Sequence, residues 1–247
     1  MKKTAWALAL FLASCSSSVP PPAFYPTENV EREEQADQPA ALTLEEAAGN
    51  VVDLRVEGLY NICPRSPIAV QDSGFLLNLS NSQYVIASNI SGDLTETVRT
   101  YIDGEAEELG EQTILINNQP AEVVLFNQDL GYSLFRPNHS RDNPVLSIQN
   151  TRSTSQLRPG SKVYLVGYSV FERFISEGEI IDPRSLDIQP NGDEFFFYTP
   201  NFSRGGAVFY EDEQGAISLI GMYRDRRGNL NRAVRIESII EDIESGI

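Results

Sequence analysis

The chain has 247 residues, 41% hydrophobic and 22% charged, and its 35 acidic against 19 basic residues give a net charge of −16. Such a surface repels nucleic acid and anionic lipid headgroups, so neither is expected as a direct partner. One histidine and two cysteines leave no zinc-ligand set, and neither a metal nor a cofactor is expected.

From the N-terminus, Met1-Lys2-Lys3 precedes an apolar run from Ala5 to Ala13 that ends in Leu12-Ala13-Ser14-Cys15. A basic start, an apolar stretch of roughly ten residues and small residues at its end make a cleavable signal, too short to span a bilayer. The last four residues resemble the lipobox of bacterial lipoproteins, which implies a signal peptide over residues 1–14 and lipid on the thiol of Cys15. Ser16, in place of Asp, follows that cysteine, and by the sorting rule of Gram-negative lipoproteins this implies the outer membrane, facing the periplasm. The membrane is then a partner through the lipid on Cys15 alone, because no other segment holds the roughly 18–20 apolar residues of a transmembrane helix. With Cys15 lipidated, Cys63 has no disulfide partner. Only Arg65 is basic beside it, so a small core or loop residue is expected there in preference to a reactive thiol.

Residues 15–42 are rich in Ser, Pro and acids, including Pro20-Pro21-Pro22 and Glu31-Arg32-Glu33-Glu34, and read as a disordered tether. The remainder, 43–247, reads as one domain. Thr43-Leu44-Glu45-Glu46 has the form of a capping box and predicts a short helix that stops at Gly49. Short runs rich in β-branched and aromatic residues predict strands at 51–57, 74–80, 84–88, 98–103, 113–117, 121–126, 132–135, 145–149, 162–167, 171–177, 195–199, 207–210 and 216–223. Turn signals such as Asn117-Asn118-Gln119-Pro120 separate them. Many short strands argue for an all-β sandwich or closed barrels. Ile236, Ile239, Ile240 and Ile243 then recur at helical spacing, so the chain is expected to end in an amphipathic helix. Glu211, Asp212, Glu213 and Asp225 lack the spacing of a calcium loop and read as solvated turns.

Several of these segments, in order, resemble the chymotrypsin-fold serine proteases, closest to the HtrA-type branch. Gly74-Phe75-Leu76-Leu77 is similar to the family's "GSGFVI" strand, and the run from Tyr84 to Ile90 to "YILTNNH". The run from Asp129 to Leu134 is similar to "DLALLK", and the runs 157–167 and 176–181 to the strands that follow it. Ser203-Arg204-Gly205-Gly206-Ala207-Val208-Phe209 is similar to "NSGGPLV", and Ala233-Val234-Arg235-Ile236 stands where the family enters its C-terminal helix. The resemblance implies two six-stranded antiparallel β-barrels with a cleft between them and a C-terminal α-helix.

Catalysis in this family needs a serine nucleophile, a histidine base and an aspartate that orients it. By the resemblance, the histidine place falls on Ile90, the aspartate place on Asp129 and the serine place on Arg204. Isoleucine accepts no proton, and a guanidinium is neither base nor nucleophile. The single histidine, His139, lies in a polar loop sequence, and Lys162 lies inside a predicted strand. The expectation is therefore a non-enzyme: a lipid-anchored pseudoprotease that binds a protein or peptide, or assists assembly, in the envelope. Arg204 with the amides of Gly205 and Gly206 would then grip a carboxylate, or Arg204 would fill the cleft or pair with Asp129. Two alternatives stand beside it: an active serine endopeptidase with a rearranged nucleophile, Ser203, and a structural spacer or surface antigen.

Overall fold

The computed structural model describes residues 41–60, 68–79, 82–88, 109–138, 146–170, 172–186, 188–189 and 191–246. The leader with Cys15, the tether, Cys63, Ile90, the strand expected at 98–103 and His139 lie outside the described residues.

Helix α1 (Leu44–Ala48) starts as its sequence dictates. The Thr43 hydroxyl accepts from the Glu46 amide, and the Glu46 carboxylate accepts from the Thr43 amide and hydroxyl at 2.8 Å each. These reciprocal bonds satisfy donors that a single helical turn otherwise leaves open.

Six strands follow: β1 (Val51–Tyr60), β2 (Ile68–Leu79), β3 (Ser82–Ser88), β4 (Leu109–Ile116), β5 (Gln119–Asn127) and β6 (Tyr132–Pro137). They run in the order β1-β4-β5-β6-β3-β2, and β2 returns to β1 with Val51 opposite Phe75, which closes a barrel. Asn117 and Asn118, at φ 49° and 64°, make the tight β4–β5 turn. Asn tolerates that left-handed backbone, and hairpin turns of matching twist need it. The strand expected at 145–149 shrinks to β7 (Leu146–Ser147), which joins β2 in parallel. Asn150 Oδ1 accepts from both the amide and the hydroxyl of Ser147 at 3.0 Å, which bends the chain into a 3-10 turn.

The second barrel closes in the order β10-β13-β12-β11-β8-β9. Its strands are β8 (Lys162–Ser169), β9 (Glu172–Ile181), β10 (Glu194–Tyr198), β11 (Ala207–Glu211), β12 (Ile217–Arg227) and β13 (Leu230–Arg235). The fold is thus all-β and chymotrypsin-like, with two six-stranded antiparallel barrels and a final helix, α2 (Ile236–Gly246). The start of β13, Leu-Asn-Arg, carries too few β-branched residues to read as a strand. It is held because Asn231, 1% exposed, donates to the Thr199 hydroxyl at 2.7 Å.

Three cores hold this together. Val52, Leu54, Val56, Leu76, Val85 and Phe135 fill the first barrel, and Val163, Leu165, Phe195, Phe197, Val208 and Ile220 fill the second. The third core takes the alternate residues of the same strands (Phe75, Leu77 and Ile86 from the first barrel, Tyr164, Val166 and Phe209 from the second) together with the four isoleucines of α2. Successive strand residues point to opposite faces. A strand that faces a barrel interior on one side and this shared core on the other is therefore apolar throughout, as Gly74-Phe75-Leu76-Leu77 and Tyr84-Val85-Ile86-Ala87 are.

Candidate active cleft

A groove of about 770 Å³ opens where the two barrels meet. The first barrel contributes Gln71 and Asp72 from β2 and Ser88 from the end of β3. The second contributes Tyr168 and Ser169 of β8, Val170, the loop Phe202-Ser203-Arg204, and residues 223–226 of β12. β11 pairs with β12 only over 217–222, while β12 continues to Arg227 paired with β13. Past Tyr223, then, the other side of β12 has no strand neighbour among the described residues.

The loop into the Gly-Gly turn is tied to both barrels. The Ser73 amide donates to the Arg204 carbonyl at 2.9 Å. The Gly205 amide donates to the Tyr223 carbonyl at 3.0 Å, and the Tyr223 amide to the Gly206 carbonyl at 2.8 Å. Three further bonds form a ring. The Tyr168 amide donates to Ser73 Oγ at 2.7 Å, Ser73 Oγ meets Ser203 Oγ at 2.6 Å, and Ser203 Oγ donates to the Tyr168 carbonyl at 2.9 Å. Because the amide hydrogen and the carbonyl fix the two ends, the proton between the hydroxyls belongs to Ser73. Ser203 is 7% exposed and Ser73 fully buried, so the low polarity of the surroundings strengthens each bond.

The groove is strongly charged. Arg204 Nε lies 3.7 Å from Asp72 Oδ1. Arg224 donates to Glu194 at 3.1 Å and to the Asp129 carbonyl at 3.4 Å. Burial above all, with Asp225 next, pushes the Tyr223 hydroxyl up to about 12, so it stays protonated at neutral pH.

Of the residues singled out from the sequence, the structure brings Ser203 and Arg204 into the groove. Asp129 is exposed and stands beside it, linked through Arg224, and Ile90 lies outside the described residues. In place of Asp129, one of the alternatives for Arg204, the structure sets Asp72 beside it. The amides of Gly205 and Gly206 are committed to the carbonyls of Tyr223 and Ser203, so they do not present the carboxylate grip anticipated with Arg204. Lys162 bonds to Glu211 at 2.9 Å and Glu177 at 3.4 Å. The Tyr164 and Glu211 hydrogen bonds hold it protonated, which leaves it unsuited to act as a base. Glu211 and Asp225 are not merely solvated: Glu211 accepts from the Tyr164 hydroxyl at 2.6 Å, and Asp225 from Arg232 Nε at 2.8 Å. Asp72, Ser73, Tyr168, Arg224 and Arg226 were not singled out. For Arg224 and Arg226 the one sequence signal is the run Arg224-Asp225-Arg226-Arg227 in an acidic chain, and Asp72, Ser73 and Tyr168 carry none.

No family model and no curated protein matches this sequence. Among solved structures, the chain is similar to the active form of the Rv3671c protease from M. tuberculosis. Identity is 12% and the TM-score 0.52, over 80% of this chain and 82% of that one. It is similar also to the inactive form, a serine-to-alanine mutant from M. tuberculosis H37Rv. There identity is 12% and the TM-score 0.50, over 81% of this chain and 89% of that one. The likeness is one of fold, and it overturns the expectation of a non-enzyme, a pseudoprotease acting only in binding or assembly, because both neighbours are forms of a protease. The physical reason lies one residue before Arg204. The expectation placed no nucleophile in the cleft, whereas Ser203 is among the residues that line it.

Proposed function

We propose that the chain is a lipid-anchored serine endopeptidase of the bacterial envelope, which takes an extended polypeptide into the groove and attacks it with Ser203. The observation that supports this reading is Ser203 in the groove wall, with its hydroxyl 2.6 Å from a second one, that of Ser73. An extended substrate adds as a strand along the open side of β12 past Tyr223, with backbone hydrogen bonds supplying affinity. Attack begins when the Ser203 hydroxyl turns away from the Tyr168 carbonyl; its oxygen bonds to the scissile carbonyl carbon, its proton passes through solvent water to the departing amine as the C–N bond breaks, and water then hydrolyses the acyl-enzyme. A serine protease that lacks a triad member keeps about 10³–10⁴-fold acceleration over water. That residual activity comes from the oxyanion hole and substrate binding, and turnover below it is expected here, since the Gly205 and Gly206 amides are bonded to other carbonyls and no imidazole stands at the groove among the described residues.

A fluorophosphonate probe is therefore expected to form an adduct on Ser203 slowly, as mapped by mass spectrometry, and casein cleavage is expected to follow the same time course. Ser203→Ala abolishes both. That variant loses two buried hydrogen bonds, at a cost of about 1–3 kcal/mol, and a cooperative melt checks that it still folds. A cooperatively folded wild-type chain that gives no adduct on Ser203 would overturn the proposal.

The anchor belongs to the same proposal. Residues 1–15 support a lipid on Cys15, and Ser16 a place on the outer membrane facing the periplasm, with polypeptide as the partner and nucleic acid disfavoured by charge. Cys15→Ser is expected to abolish palmitate incorporation and to move the protein from the membrane pellet to the soluble fraction. Retention of label and pelleting together would count against the anchor.

A further inference from the structure

Charge is distributed against the grain of this protein. The chain carries a net charge of −16, yet three arginines, 204, 224 and 226, line one groove. Two acids also line it, but both are committed. Asp225 binds Arg232, which lies on β13 outside the groove. Asp72, with a side chain 3% exposed, faces Arg204 at 3.7 Å, too long for a hydrogen bond. Arg224 is neutralised by Glu194 at 3.1 Å. That leaves Arg226, which makes no ion pair among the described residues. Its guanidinium stands 5.8 Å over the ring of Phe202, a contact that steadies a cation without discharging it. Two apolar side chains flank this positive wall, Phe202 at 59% and Val170 at 77% exposure. Val170 also sits at φ 48°, a left-handed backbone that a β-branched residue adopts only at a cost. No burial in the free protein offsets that cost.

We infer that the groove selects polypeptide segments carrying an acidic side chain beside an apolar one, with Arg226 and the outward side of Arg204 reading the carboxylate and Phe202 and Val170 covering the apolar neighbour. This deepens, and rests on, the reading of the groove as a peptide cleft. A guanidinium matches a carboxylate with two parallel N–H donors, whereas a lysine or arginine of a bound segment meets like charge and is rejected.

Fluorescence anisotropy on the full chain with Ser203→Ala tests this without turnover. A labelled peptide with a Glu-Leu pair is compared with its Gln-Leu and Lys-Leu counterparts, and the series is repeated on the wild-type chain below its turnover time in case the variant is unstable. The Glu peptide is expected to bind about tenfold tighter or more than the Gln peptide at low salt, with the margin shrinking as salt rises. Arg226→Glu is expected to turn the preference toward the Lys peptide. Equal binding of the Glu and Gln peptides, or a preference unchanged by Arg226→Glu, overturns the inference. The two proposals fail separately. Acid-selective binding without an adduct on Ser203 keeps this inference and removes the peptidase, and cleavage indifferent to acidic residues does the reverse.

Discussion

Gly205→Ala is expected to cost more than about 4 kcal/mol, a large share of a domain's whole stability and at the extreme of single-substitution effects. Gly205 has φ 69°, and a Cβ placed there would lie 2.0 Å from the Ser73 carbonyl oxygen and 2.9 Å from the Ser88 amide nitrogen. Both are backbone atoms of the first barrel, so no side-chain rotation relieves the clash. Withdrawing the turn breaks the bonds from Ser73 to Arg204 and from Gly205 to Tyr223, and it opens the hydroxyl ring through Ser203. Gly228→Ala is the matched control. Its φ is similar, 63°, but nothing lies within 4 Å of the added carbon, so only the left-handed cost of about 1–2 kcal/mol applies. Urea unfolding of the two variants measures the difference. A Gly205→Ala midpoint equal to that of Gly228→Ala would mean that the barrels do not close on this turn.

Ile239→Ala is expected to destabilise by about 2–5 kcal/mol, the range for truncating a buried isoleucine that leaves a cavity. Ile239 is fully buried, with Ile236, Ile240 and Ile243, in the core that both barrels share. The helix is also pinned by polar contacts from the opposite barrel. Asp242 accepts from the Tyr132 hydroxyl at 2.5 Å and from Asn127 at 2.7 Å, although α2 follows directly from β13 of the second barrel. Losing the apolar anchor therefore loosens a strap between the barrels, and thermal melting monitored at the aromatic residues should show it. Glu241→Ala, on the exposed face of the same helix, should stay within about 0.5 kcal/mol of wild type. If both variants melt alike, the helix is an appendage and not part of the shared core.

Much of the fold was legible in the order of residues because its causes are local. Val52 to Gly58 alternates buried and half-buried positions, the period that a strand imposes on its side chains. The capping box at Thr43 and the isoleucine spacing of α2 carry their own signals within one or two turns of helix. Where local signals ran thin, the reading fell short: β13 has as its second residue a buried asparagine held by Thr199, and the strand expected at 145–149 yields to a 3-10 turn set by Asn150. The resemblance to the protease family rested on the same local runs, and for that reason it found the architecture better than the chemistry.

The cleft is a different matter, because its parts are distant in sequence. Ser73 and Ser203 are 130 residues apart, and no periodicity relates them. Arg204 looked like a residue standing in place of a nucleophile, and only the packing of β2 against the Gly205 turn shows Asp72 as its partner and Ser203 in the groove wall. Most of the strands, the tight turns, the cap of the first helix and the charge of the chain are readable in residue order, because each follows from neighbours a few residues away. The tertiary structure alone decided which hydroxyls meet, which arginine keeps its charge and where β12 stays open, because those depend on two barrels closing and then packing on each other.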